Sequence, residues 1–201
     1  MRSVPASVKS GYHHGDLRAA LLTAAMQMLE QGEPFSLRAV ARHAGVSPTA
    51  PYRHFADREA LESALAAEGL RDLKADLAGG RAVPSSVPDL AELGVAYVSF
   101  ALRRPALFRL MFGNECDDVN DQRVLAAAQL HEMIAVAVGN VFPGADAAAL
   151  ATAGWGLAHG LAFLHLDGKL PAASPEEVAS RVRSSFEAIF SARTAPGARN
   201  R

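Results

Sequence analysis

Phe35-Ser36-Leu37-Arg38-Ala39-Val40-Ala41-Arg42-His43-Ala44-Gly45-Val46-Ser47-Pro48-Thr49-Ala50-Pro51-Tyr52-Arg53-His54-Phe55 reads as two short helices hinged at Gly45. Leu37, Val40, Ala41 and Ala44 recur at the spacing of one buried face, and Ser36 stands where its hydroxyl can cap the first turn. Gly45 accepts the positive φ that ends a helix. Val46 then plugs the angle between the helices, Ser47 offers a second N-cap, and Pro48 falls at the first helical position, where a missing N–H costs nothing. The residues that follow are small, polar, basic or amphipathic. Such a helix suits the major groove of DNA, where its N-terminal part meets base edges while nearby caps and hydroxyls hold phosphates. Pro51 is the exception: it cannot donate the first-turn hydrogen bond, and a helix that started later than Ser47 would present different residues.

Working outward, the same helical periodicity continues on both sides. A first helix runs from Gly15 or Asp16 to Glu30, with Leu17, Leu21, Ala24, Met28 and Leu29 facing inward and Gly32 as its stop. Asp57 caps a fourth helix on which Leu61, Leu65, Leu70, Leu73 and Leu77 recur. Gly79-Gly80, Pro84 and Pro88 mark a linker, after which a helix starts at Asp89 and carries Leu93, Tyr97 and Phe100. Pro105 opens a short helix through Phe108, Met111 and Phe112; residues 113–121 form an acidic loop. Two long Ala-rich helices are predicted at 121–141 and 145–166, and a last one from Pro175 to Ala192. No alternating strand pattern occurs, so the predicted fold is all-α. The boundaries that follow are an N-terminal arm over 1–12, a helix-turn-helix domain over 13–60 whose helix 57–78 leads into the body, a C-terminal domain over 81–193, and a tail over 194–201. Both ends are rich in Gly, Pro, Ser and basic residues without periodicity, and Arg2, Lys9 and His13 can grip phosphates or enter the minor groove as basic arms do.

Charge supports a division of labour. Residues 1–58 carry seven Lys/Arg against four Asp/Glu, leaving thirteen against seventeen for the rest of a chain whose net charge is −1. A mildly basic head on a mildly acidic body suits a protein that touches DNA at one end only. The single cysteine, Cys116, can form no internal disulfide, and no signal pattern opens the chain, which points to the cytoplasm. Residues 147–166 are long and apolar enough to cross a bilayer, but they are mostly Ala and Gly, contain His159 and His165, and lack basic or aromatic flanks. A helix buried in protein on nearly all sides is the expectation there, with no membrane partner.

The helical lead-in to Gly32, Ala44-Gly45-Val46-Ser47, Tyr52-Arg53-His54-Phe55 and Asp57-Arg58-Glu59-Ala60-Leu61 together resemble the DNA-binding domain of TetR-type transcriptional regulators over residues 13–65. Trp155-Gly156 followed by His159-Gly160 resembles the signature of a TetR subgroup named for its Trp, His and Gly residues. The resemblance implies a three-helix head, a helical body and a homodimer joined through its last two helices. It implies phosphate contacts from Tyr52 through its hydroxyl, from Ser36 at a helix N-terminus and from Arg58. Thr49 is expected to meet thymine or a donor edge, and Arg53 either to take guanine in a bidentate grip or to hold phosphate. Arg38, Ser47 and Ala50 complete the expected DNA face. His54 is expected to pack or touch phosphate, and Phe55 to lie in the core.

In the body, Gly156 and Gly160 lie four apart on one helical face, which lets another helix approach. With Val182, Phe186 and Ile189 they are the predicted dimer interface. Two-fold symmetry would set the recognition helices about 34–36 Å apart on an inverted-repeat operator. Phe100, Phe108, Met111, Phe112, His131, Met133, Trp155, His159 and Phe163 are the candidate lining of an apolar effector cavity, and equally plain core residues. No zinc-protease pattern, phosphate loop or nucleophile elbow is present, and Glu115-Cys116-Asp117-Asp118 lacks the distant partner a closed metal site needs. The expectation is therefore no enzyme, no cofactor and no metal, but a DNA-binding regulator, a repressor released by an apolar small molecule. The competing readings are a helical carrier or small enzyme with a non-functional head, and an architectural DNA binder.

Overall fold

The computed structural model describes residues 17–34, 36–80, 82–113, 121–171 and 174–191, and every regular element among them is helical. In chain order these are α1 (Leu17–Glu30), α2 (Leu37–His43), a 3₁₀ turn (Pro51–Arg53), α3 (Arg58–Ala78), α4 (Val87–Arg103), α5 (Pro105–Gly113), α6 (Gln122–Val141), α7 (Ala147–Leu166) and α8 (Pro175–Ser191). The expected all-α class is what is found. The two termini, with Arg2, Lys9 and His13, and the acidic cluster Glu115, Cys116, Asp117 and Asp118 lie outside the described residues.

Side-chain caps decide where the helices begin. Ser36 accepts from the Ala39 N–H at 3.2 Å, Asp57 from Ala60 at 2.8 Å, Ser86 from Asp89 at 3.3 Å, Asp146 from Ala149 at 3.0 Å and Ser174 from Glu177 at 3.2 Å. Each such cap stabilises its helix by about 1 kcal/mol. Ser86 therefore starts α4 ahead of the predicted Asp89, because Pro88 fits within the first turn. The Asp89 carboxylate instead folds back onto Ser85, accepting from its N–H at 3.0 Å and its hydroxyl at 3.1 Å, and the Ser85 N–H above all holds this carboxyl below its ordinary range. Likewise α7 starts at Ala147 rather than Ala145, behind its Asp146 cap. At the end of α2, Gly45 takes φ +69, its N–H bonds the Arg42 carbonyl at 3.1 Å, and the Val46 N–H bonds the Ala41 carbonyl at 2.9 Å. That double closure satisfies carbonyls the helix would otherwise leave open.

The chain divides into two compact units, residues 1–61 and 62–201, so the division falls inside α3. In the first, α2 packs on α1 and on the 3₁₀ turn, with Leu21, Ala25, Val40 and Ala41 fully buried. Phe55 is buried as expected, and the Arg18 guanidinium lies 5.6 Å from its ring centre.

In the second unit α4 is the central helix, packing most extensively on α8 and α7, while α7 also packs on α6. Gly94 makes the α4–α8 approach possible: a Cβ there would fall 2.5 Å from Phe186 Cε2. Phe186 stacks on Phe190, and Glu92 takes Arg183 in a two-point grip at 2.5 and 3.2 Å. Val182 and Phe186 are thereby consumed by the chain's own core, at 0% and 5% exposure, which corrects their assignment to a dimer interface. Sequence spacing shows that the apolar stripe of α8 is covered but not which neighbour covers it.

In α7 the chain itself covers one face only. By length and composition both α6 and α7 are apolar enough to cross a membrane, and 28% of the α7 window is buried within its own chain. Its buried face is Leu150, Ala151, Gly154, Ala158, Leu161, Ala162 and His165. Its other face exposes Ala149, Ala153, Gly156, Gly160 and Leu164, without one charge.

Candidate functional site

In the first unit Ser36, Arg38, Ser47, Thr49, Tyr52, Arg53, His54 and Arg58 are all exposed, and Ala50 is half-buried. Pro51 and Phe55, four residues apart, are the buried anchors of this segment. The recognition element differs from the predicted helix. The Ala50 N–H bonds the Ser47 carbonyl at 3.0 Å, Arg53 bonds Ala50 at 3.3 Å, and His54 and Phe55 both bond Pro51 at 2.9 Å. An α-helix capped by Ser47 would need the N–H of residue 51 for its first bond, and proline has none. The chain therefore turns in tighter i→i+3 steps. Ser47 caps nothing here; its hydroxyl lies 3.3 Å from Thr49 Oγ1.

Tyr52 is half exposed, at 50%. Among the described residues Arg38, Arg42 and Arg53 form no ion pair. Cations free of counter-charges in their own chain are available to phosphates, where each releases condensed counterions from DNA. The geometry thus brings two hydroxyl-bearing side chains, Thr49 and Tyr52, into one short exposed segment with Arg53.

In the second unit, Met111, Phe112, His131 and Trp155 come together on the wall of a cavity of about 210 Å³. Leu70, Arg123, Leu130 and Ile134 share that wall. The other predicted effector residues are elsewhere. Phe100 and Phe108 are sealed in the core at 1% and 0% exposure and do not line the cavity. Met133 faces a separate groove with Val83 and Val136. His159 and Phe163 belong to an aromatic cluster, their ring centres 4.9 Å apart.

That cluster is organised by hydrogen bonds. Trp155 Nε1 donates to the Tyr97 hydroxyl at 3.1 Å, and the Tyr97 hydroxyl lies 2.9 Å from His159 Nδ1. With its oxygen accepting from tryptophan, the phenol has its proton free for the imidazole, which leaves His159 neutral with its proton on Nε2. Burial favours the same state twice, pushing the Tyr97 phenol well up and the His159 imidazole down.

Two family descriptions match the chain: "Bacterial regulatory proteins, tetR family" over residues 21–65 and "Tetracyclin repressor-like, C-terminal domain" over residues 90–192. The protein belongs to the TetR family. Solved structures agree. A Rhodococcus sp. RHA1 protein of unknown function is 37% identical, with a TM-score of 0.74, covering 89% of this chain and 97% of its own. A bacterial regulatory protein of the TetR family from Rhodococcus RHA1 shares the fold at 19% identity and TM-score 0.62, over 84% of this chain and 93% of its own. So does a TetR/AcrR-family transcriptional regulator from Thermobifida fusca, at 18% identity and TM-score 0.60, over 92% and 100%. No curated protein matches this chain in sequence.

As a TetR-family member the chain is a DNA-binding regulator, and the exposed segment 47–54 is the outer part of its helix-turn-helix. Two residues of this TetR-family body escaped the sequence reading. Tyr97 shares its helix with Leu93 and Phe100, and nothing local reveals that its hydroxyl meets His159 and Trp155. Arg123, between Gln122 and Val124 at the start of a helix, looks like an ordinary solvated cation, yet it is 8% exposed on the cavity wall.

Proposed function

We propose that this protein is a transcriptional repressor that binds an inverted-repeat operator as a homodimer in the cytoplasm and is released by a small apolar effector. The observation that carries the DNA half is the exposed, unpaired Arg53 beside Tyr52 and Thr49 on a turn anchored by Pro51 and Phe55. In this reading Tyr52, Ser36, Ser47, Arg38 and Arg58 hold phosphates, and Thr49, Ala50 and Arg53 face the bases, with His54 at the edge.

The dimer half is supported by α7. Nothing lies within 4 Å of a Cβ built on Gly156 or Gly160, so the chain itself has no use for glycine there. Glycine inside an exposed helix costs about 0.8–1.0 kcal/mol relative to alanine, and a partner helix approaching closely gives the cost a purpose. Ile189 of α8, exposed at 50%, is a second apolar group left open to a partner. Trp155, Gly156, His159 and Gly160 suit the Trp-His-Gly subgroup of the family.

The effector half is supported by the cavity bearing Met111, Phe112, His131 and Trp155. Helix α3 carries Arg58 at its start and Leu70 on the cavity wall, so a ligand that favours one setting of α3 changes the population of DNA-competent dimers. Selection of bound duplexes from a random pool at fixed salt tests the proposal. Enrichment of an inverted repeat is expected; no enriched sequence overturns it in favour of a carrier or an architectural protein.

A further inference from the structure

Arg123 is the one permanently charged side chain on the wall of the 210 Å³ cavity, and the chain supplies it with no counter-ion among the described residues. It is 8% exposed. It also stands in the first turn of α6, where the helix dipole repels a cation. The nearest acid in sequence, Asp121, is engaged otherwise: its carboxylate accepts from Ser63 Oγ at 2.5 and 2.6 Å and from the Arg123 backbone N–H at 2.6 Å. A guanidinium keeps its charge in any protein environment, so the cavity wall always carries one positive group. An unpaired guanidinium on an otherwise apolar wall meets no competing acid of the cavity lining, which makes Arg123 the anchor for an anion that enters.

Resting on the reading of the second unit as the effector-binding half, we propose that the effector is a small monocarboxylic acid with an aromatic or short aliphatic body, its carboxylate held by Arg123. The two oxygens of a carboxylate match the planar fork of a guanidinium, and a single negative charge neutralises it. A phosphate dianion would leave an excess charge among Leu70, Met111, Leu130 and Ile134. Those side chains, with the rings of Phe112 and Trp155, take the apolar body of the acid. The volume falls below the ~300–1,000 Å³ of drug-sized pockets, so the acid is small.

Trp155 is the only tryptophan in the chain and lines this cavity, so its fluorescence reports occupancy of the free protein without DNA. The probes are phenylacetate and octanoate, each against its uncharged amide, with the full-length protein. Both acids, or one of them, should shift the Trp155 emission saturably, and the matching amide should bind about 10- to 100-fold more weakly. Arg123→Met should abolish that preference while the amide binds as before, and Arg123→Lys should keep part of it. The Tm of Arg123→Met without ligand should stay close to that of the parent, because the guanidinium has no ion pair among the described residues to lose. Acid and amide binding equally, Arg123→Met binding the acid as the parent does, no response to either acid, or a large fall in the Tm of Arg123→Met would each overturn the proposal. A protein that enriches an inverted repeat but ignores both acids keeps the regulator reading and loses this one. A protein whose Trp155 responds to an acid while no duplex is enriched keeps this site and loses the operator.

Discussion

The Tyr97 hydroxyl and His159 Nδ1 lie 2.9 Å apart, joining α4 to α7 inside the second unit, with Trp155 Nε1 donating to the same hydroxyl. Tyr97→Phe removes the acceptor of the indole N–H and the donor to the imidazole in one change. Leaving two part-buried polar atoms unsatisfied costs about 1–3 kcal/mol. Calorimetry should show Tm lowered by about 2–4 °C for each kcal/mol lost. An unchanged Tm would mean the network contributes nothing to stability.

Acid should destabilise the fold through its buried histidines. Burial is the chief cause that lowers both His159 and His165 from their ordinary value of 6.5, and at His165 the Arg181 charge adds to it. The folded chain therefore binds fewer protons in acid than the unfolded chain. Stability is complete above about 6.5 and declines as pH falls below it. His165→Met, which keeps the volume and removes the titration, should flatten the decline in Tm between neutral and acidic buffer; a slope as steep as the parent's would assign the loss to other groups.

Restoring an N–H at residue 51 should change what the head reads. Pro51→Leu can donate to the Ser47 carbonyl, which now takes the Ala50 N–H at 3.0 Å. The turn would extend into an α-helix from Ser47 and rotate Thr49, Tyr52 and Arg53 relative to their anchors. Parallel duplex selections on parent and variant should enrich different sequences. Identical enrichment would show that the turn geometry does not govern readout.

Tyr52 and Arg53 separate positioning from reading. Tyr52→Phe should weaken binding to all duplexes alike, whereas Arg53→Ala should relax preference at one base pair by about 1–3 kcal/mol if it takes guanine. Uniform loss in both variants would make Arg53 a phosphate contact.

The glycines of α7 test the dimer. Gly156→Ala and Gly160→Ala meet open space within the chain and gain about 0.8–1.0 kcal/mol each in helix propensity. Gly156→Leu should instead weaken self-association, measured by sedimentation, while the single chain stays folded. Association as tight as the parent's would move the interface away from this face.

What the sequence determined by itself is what nearest neighbours along the chain determine: Ser36 and Asp57 as caps, Gly45 as a left-handed stop, and the helical recurrence of Leu61, Leu65, Leu70, Leu73 and Leu77. These signals act within one helical turn, so they survive without knowledge of the rest of the molecule. The exposure of Thr49, Tyr52 and Arg53 was legible for the same reason, since small, polar and basic side chains stand there beside the apolar Phe55. Tertiary structure alone decided the rest. Val182 and Phe186 became core because Gly94 lets α8 close on α4; Arg123 became a cavity cation and Tyr97 a hydrogen-bond hub because helices distant in sequence meet there. A side chain's periodicity says that one face will be covered, but only packing says by what, and that choice separates a filled core from a site that waits for a ligand.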